Sequence, residues 1–117
     1  MKVELLHLNP VRRGSLRAYA SVSLSDAGLA LHGIRISAGP WGVAVHLPQR
    51  ILVDAEGLPV RDDIGQIVYR NLATFTEHAT WLDFRASVLA AVRAADPELL
   101  ADAPVAAVVE LRDRRCA

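Results

Sequence analysis

Between Leu16 and Leu24 the chain alternates without a break, with Leu16, Ala18, Ala20, Val22 and Leu24 on one side and Arg17, Tyr19, Ser21 and Ser23 on the other. A period of two suits a pleated strand with one dry and one wet face, and on a helix the same residues would scatter around the axis. Antiparallel sheets accept strands of this kind, because one of their faces can remain in water.

The neighbouring segments extend the pattern. Residues 2–8 read as a strand ended by Asn9-Pro10, and residues 10–15 as a basic turn that carries Arg12 and Arg13, with Gly14 free to take an unusual backbone angle. Ser25-Asp26-Ala27-Gly28 is turn chemistry leading into a strand over 29–37, where both faces carry apolar groups as in a central or covered strand. Ala38-Gly39-Pro40 turns the chain again, and 41–47 sets Trp41, Val43, Val45 and Leu47 on one side. A short apolar piece, 51–53, a turn at Asp54-Ala55-Glu56-Gly57, a return over 58–61 and a last strand over 64–69 complete the β part. No internal repeat stands out.

One helix is expected, over residues 81–95. Thr80 serves as N-cap and Asp83 completes a capping box, while Trp81, Phe84, Val88, Ala91, Val92 and Ala95 share a face. Arg85 and Arg93 fall off that stripe, and Asp96-Pro97 stops the helix and can start a short second one over 97–102. The tail Val105–Val109 is apolar and β-prone and reads as an extra strand or a partner-binding arm. The fold class is therefore α+β: an antiparallel sheet of about five to six strands, then one main helix, all in a single domain over 1–117.

The core has to be built from Leu, Val, Ile and Ala, because only six of the 117 residues are aromatic. Cys116 is the one cysteine, which excludes an internal disulfide and fits a reducing compartment. Neither a signal-peptide pattern nor an apolar stretch of about 18 residues is found. A cytoplasmic protein without membrane contact is the expectation.

Chemistry-bearing constellations are sparse. With the 38–40 turn centred on Gly39, His32 and His46 would lie opposite each other, but no third ligand has an obvious place, so no metal is expected. Cys116 has no base fixed beside it, no serine stands in a Gly-x-Ser-x-Gly elbow, and no glycine-rich phosphate loop occurs. Asp62 and Asp63, adjacent on a strand, would point to opposite faces. The expectation is a protein that is not an enzyme, with no cofactor and no small-molecule substrate.

Charge gives a positive signal. Net charge is zero, yet residues 1–50 hold six basic groups against two acidic ones, and the remainder holds seven against eleven. Arg17 and Tyr19 on one strand face, with Arg12 and Arg13 before them and Arg35 and Arg50 after, can neutralise phosphates and stack on bases. A solvated sheet face and a dimer interface built on Arg stems remain open as other uses of the same residues.

Three segments carry a family resemblance: Leu16–Leu24, then Leu31-His32-Gly33-Ile34-Arg35-Ile36, then Gly42–Arg50. Together they resemble the stage V sporulation protein G family of septation regulators. That family's pattern has Arg-Ala-x-Ala-Ser on one strand, His-x-Ile-Arg-Val on another, and a Val-x-Met-Pro-Ser segment ending in a basic residue. The likeness covers about a third of the chain. It departs at Gly65-Gln66, where the family has His-Pro, and at His46, Leu47 and Gln49, where Ala, Met and Ser are usual. The resemblance implies an α+β homodimer that binds DNA first and RNA second. By position, Arg17, His32, Arg35 and Arg50 match its motif, and Arg35 and Arg50 are the residues expected on phosphate. His32 is expected to be a buried hydrogen-bonding residue. The candidate contacts are thus Arg12, Arg13, Arg17, Arg35 and Arg50. The alternative is a protein–protein adaptor or self-assembling module that uses 105–109.

Overall fold

Small side chains on the dry face of the alternating segment decide how the molecule is layered. The computed structural model describes residues 2–102. Its main sheet has four antiparallel strands in sequence order, β1 (Val3–Arg13), β2 (Leu16–Leu24), β3 (Leu29–Gly39) and β4 (Gly42–His46). A second sheet pairs β5 (Gln49–Ile51) with β6 (Tyr69–Asn71), and the helix α1 spans His78–Ala95. The α+β class with one main helix is as the alternation predicts.

Cross-strand rows hold the core together. Ala18 faces Ile36, which faces Val45, and Ala20 faces Ile34. All five are buried, and Trp81, Phe84, Val88, Leu89 and Val92 of α1 pack into the same cluster. Alanines on β2 leave room for the large rings above them. Phe75, Trp81 and Phe84 form an aromatic group with centroids 4.9 to 6.2 Å apart, inside the range in which tilted ring pairs attract. Leu99 and Leu100, after the helix, close the end of the core.

Between β2 and β3, two bulges break the ideal alternation. Leu16 pairs with Ser37 and Ala18 with Ile36, so Arg17 is the extra residue on β2. Ala20 pairs with Ile34 and Val22 with Leu31, which puts the extra residue on β3 at His32-Gly33, where Gly33 takes φ +77°. A left-handed angle at a bulge favours glycine. Strand β1 runs on through Pro10 to Arg13, beyond the expected stop at Asn9-Pro10. It can do so because β1 is an edge strand, where a residue without an N–H breaks no ladder.

Residues 52–68, between β5 and β6, form a unit that the sequence pattern did not disclose. Val60 donates its N–H to the Leu52 carbonyl, Val68 donates to Val60, and Leu52 donates to Val68, each at 2.9 Å, so the three backbones close a ring. The spacing is eight residues. Asp54 and Asp62 occupy equivalent places: each carboxylate accepts from the N–H groups two and four residues on, and Gly57 and Gly65 close the turns at φ +80° and +85°. Thus 52–59 and 60–67 are a structural repeat. Its shared letters are too few to register in sequence, namely an apolar residue, an Asp two further on and a Gly three after that. The expected hairpin of 51–53 with 58–61 is represented by the Val53–Pro59 bridge, and the last strand is shorter and later than 64–69.

The helix begins a turn before the expected 81. Its N-cap is Glu77, with no side-chain cap bond, so Thr80 lies inside the first turn and the Thr80–Asp83 capping box does not form. Burial of Trp81 and Phe84 sets the start, because it outweighs a cap contribution of about 1 kcal/mol. Arg85, expected off the buried stripe, is itself buried, whereas Ala95 is exposed. Residues 97–102 form turns and no second helix. The tail strand or arm at 105–109 and Cys116 lie outside the described residues.

Phe84 is fully buried at the centre of the aromatic group. Phe84→Ala should therefore lower stability by about 3–5 kcal/mol through the cavity it leaves, read as a reduced midpoint in urea unfolding with an unchanged slope.

Candidate nucleic-acid interface

The small sheet sets two arginines face to face. Gln49 pairs with Asn71, Arg50 with Arg70 and Ile51 with Tyr69. Directly opposed side chains on an antiparallel pair share a face with Cβ atoms about 4.5–5.5 Å apart, and like charges placed so repel. Both arginines are exposed. Among the described residues, none makes a hydrogen bond or ion pair with either. Together with Ile51, Leu52 and Val53 they line a cleft of about 200 Å³. Two forked donors across such a cleft match an oxyanion with several acceptor oxygens.

Arg35 is held differently. It sits opposite His46 on β4 and Tyr19 on β2, and its Nη2 donates to Gln49 Oε1 at 2.8 Å. Gln49 in turn donates from Nε2 to Asn71 Oδ1 at 2.7 Å. This chain of amides ties the main sheet to the small one at the base of the Arg50–Arg70 pair. Arg35 is half-buried and acts through Gln49 and Asn71 as a brace for that pair.

Arg17 leaves the face that alternation assigned to it. As the bulged residue it lies outside the ladder, and its side chain is only 12% exposed. Nη1 donates to the Leu99 carbonyl at 3.0 Å and to Asp102 Oδ1 at 2.7 Å, while Nη2 donates to Asp102 Oδ2 at 3.0 Å. The expected Arg17–Tyr19 face is therefore divided, with Tyr19 lying between Asn9 and Arg35 across the strands. The physical reason is the bulge, which turns one side chain out of phase with its neighbours. Arg12 and Arg13 end β1 and are exposed.

Electrostatics at Arg17 follow from the contact. The two hydrogen bonds from Arg17 hold the Asp102 carboxyl below the ordinary value of 3.8, with the charges of Arg17 and Arg12 adding to the effect. The same bonds raise the Arg17 guanidinium above its ordinary value.

The histidines are not where the Gly39-centred turn would put them. Gly39 pairs with Gly42 across a two-residue Pro40-Trp41 connection, so His46 faces Arg35 and not His32. His32, expected to be buried, is exposed because of the Gly33 bulge, and its Nδ1 lies 2.9 Å from Ser21 Oγ. Among the described residues no group of three or more His, Cys, Asp or Glu could hold a metal ion. No helix among them is long and apolar enough to cross a membrane.

Of the five expected arginines, Arg50 alone enters the exposed pair, and its partner Arg70 was missed. The only signal for Arg70 is the eight-residue spacing that returns the chain to β5, and that spacing is hard to see without the closed backbone ring.

No family model, no curated protein and no solved structure matches the chain.

A carboxylate whose proton affinity falls on folding adds stability above its unfolded pKa and loses it as pH drops through the folded value. Above pH 3.8, the ordinary value for Asp102, wild type should melt at a higher temperature than Asp102→Asn. The gap should close on acidification below it, as followed by circular dichroism.

Proposed function

We propose that this chain is a dimeric regulatory protein that binds DNA, and RNA as a second ligand, by gripping the phosphate backbone at Arg50 and Arg70. Arg12 and Arg13 extend the contact as exposed cations, and Arg35 positions the pair through Gln49 and Asn71. The observation that carries this reading is the pairing of two exposed guanidinium groups, without an ion-pair partner among the described residues, at one cleft. Repulsion between them is relieved when an anion binds, so the apo state is kept ready for phosphate at some cost to itself. The resemblance of residues 16–50 to the septation regulators supports the same ligand. Backbone contacts of this sort give affinity that falls steeply with salt and discriminates weakly between sequences.

A second reading, an adaptor or self-assembling module, is favoured by a separate feature of the same region. Ile51, Val53, Leu58, Ile64, Tyr69 and Leu72 are large, apolar and exposed, Ile64 by 78%. Apolar groups grouped in this way are usual at protein contacts. In the nucleic-acid reading Leu58, Ile64 and Leu72, which do not line the cleft, supply the homodimer interface.

Titration of short DNA and RNA duplexes and single strands at low and moderate salt tests the proposal. Arg50→Ala/Arg70→Ala should weaken binding by on the order of tenfold at low salt and flatten the salt dependence by roughly 1.4–1.8 log units per decade. Its melting temperature should be equal or higher, because a like-charge pair is removed. Failure of wild type to bind any of these ligands at tens of micromolar protein in low salt would refute the reading.

A further inference from the structure

The contact between Arg17 and Asp102 has the form of a bound ligand. Both guanidinium Nη atoms engage both carboxylate oxygens, at 2.7 and 3.0 Å, in the fork-to-fork geometry that arginine also offers to phosphate. The arginine end is largely buried and fixed by the Leu99 carbonyl, whereas the Asp102 side chain is 67% exposed. The two ends are therefore unequal: a built cationic socket holds an anion that stands in solvent.

The segment that carries the anion is lightly held. After α1, residues 97–102 form turns closed by two long backbone bonds, Leu99 N–H to Asp96 at 3.2 Å and Ala101 N–H to Glu98 at 3.4 Å. Leu99 and Leu100 anchor it in the core, but Asp102 lies two residues past the anchor. Because its Asp102 end stands in solvent, the pair is weakened by salt. A polyanion that brings several phosphates at once can therefore compete for the socket without unfolding the segment.

We infer that Arg17 forms a second phosphate-binding position, and that Asp102 occupies it in the free protein as an internal competitor. The inference rests on the proposed nucleic-acid binding and adds a control to it. Asp102 caps the socket, and a nucleic-acid backbone phosphate replaces the carboxylate on Arg17 when the chain engages its ligand. The exchange breaks two charge-assisted hydrogen bonds and forms two of the same kind, so its direction is set by the local concentration of phosphate that the Arg50–Arg70 contact supplies. Free Asp102 is left in water, where a carboxylate is well solvated.

The test compares binding of one single-stranded and one duplex DNA by full-length wild type, Asp102→Asn, Asp63→Asn, and Asp102→Asn in an Arg17→Ala background. Asp63→Asn removes one negative charge from an exposed loop outside this contact and controls for net charge. Circular dichroism confirms that each variant is folded at the assay temperature, and Asp102→Ala serves in place of any Asn variant that is not. Asp102→Asn should bind about three- to tenfold tighter than wild type at low salt. Its salt dependence should match that of wild type, because both make the Arg17 phosphate contact once bound. Asp63→Asn should bind as wild type does, and the Arg17→Ala background should abolish the gain. If Asp102→Asn and Asp63→Asn bind alike, the socket is not a phosphate position, and the Arg50–Arg70 reading stands on its own. If no variant binds either DNA, the proposed function falls and the inference falls with it.

Discussion

The structure depends on one packing arrangement, large rings and branched side chains from a single helix set against small residues on one sheet face. Ala18 and Ala20 on β2 belong to the same buried cluster as Trp81, Phe84 and Val88. Larger residues at those positions would push the helix away from the sheet and open voids around Ile34 and Ile36, and tightly packed interiors tolerate neither excess nor missing volume well. With so few aromatic residues, the chain concentrates three of them at this one junction.

Packing on one face leaves the other face and the sheet's ends for polar work, and bulges decide how those residues are used. A residue inserted at Arg17 directs a cation away from its neighbours and toward the segment after the helix. Another at Gly33 places His32 in solvent beside Ser21. Between β5 and β6, the ring of backbone bonds among Leu52, Val60 and Val68 brings the chain back in a register that sets Arg70 opposite Arg50. These local irregularities sort the arginines into braced, capped and open ones. A count of charge along the sequence treats all of them alike.

Much of the fold was legible because it follows from period and volume. The alternation of 16–24, the hairpin at 25–28 and the apolar stripe from Trp81 to Val92 all appear where the pattern puts them. The helix start was misplaced because Thr80 and Asp83 look like a cap in isolation, while the real first turn is fixed by burying Trp81. The site was less legible. Arg17 obeys strict alternation in the sequence and escapes it in space, because a single extra residue in the ladder is invisible to a count of period two. Arg85 was assigned to water by helical phase, yet it is buried.

By itself the sequence determined the class of the protein: apolar residues at spacings of two and then of three to four can be buried together only as a sheet face covered by a helix. It also determined that the chain is rich in guanidinium groups, with net positive charge over residues 1–50 and net negative charge over the rest. Tertiary structure alone decided which of those groups face a carboxylate, an amide or open solvent. Strand register and the closure of residues 52–68 are set by contacts between residues far apart in the chain, and the free energy of a charge depends on its neighbours in space rather than its neighbours in sequence.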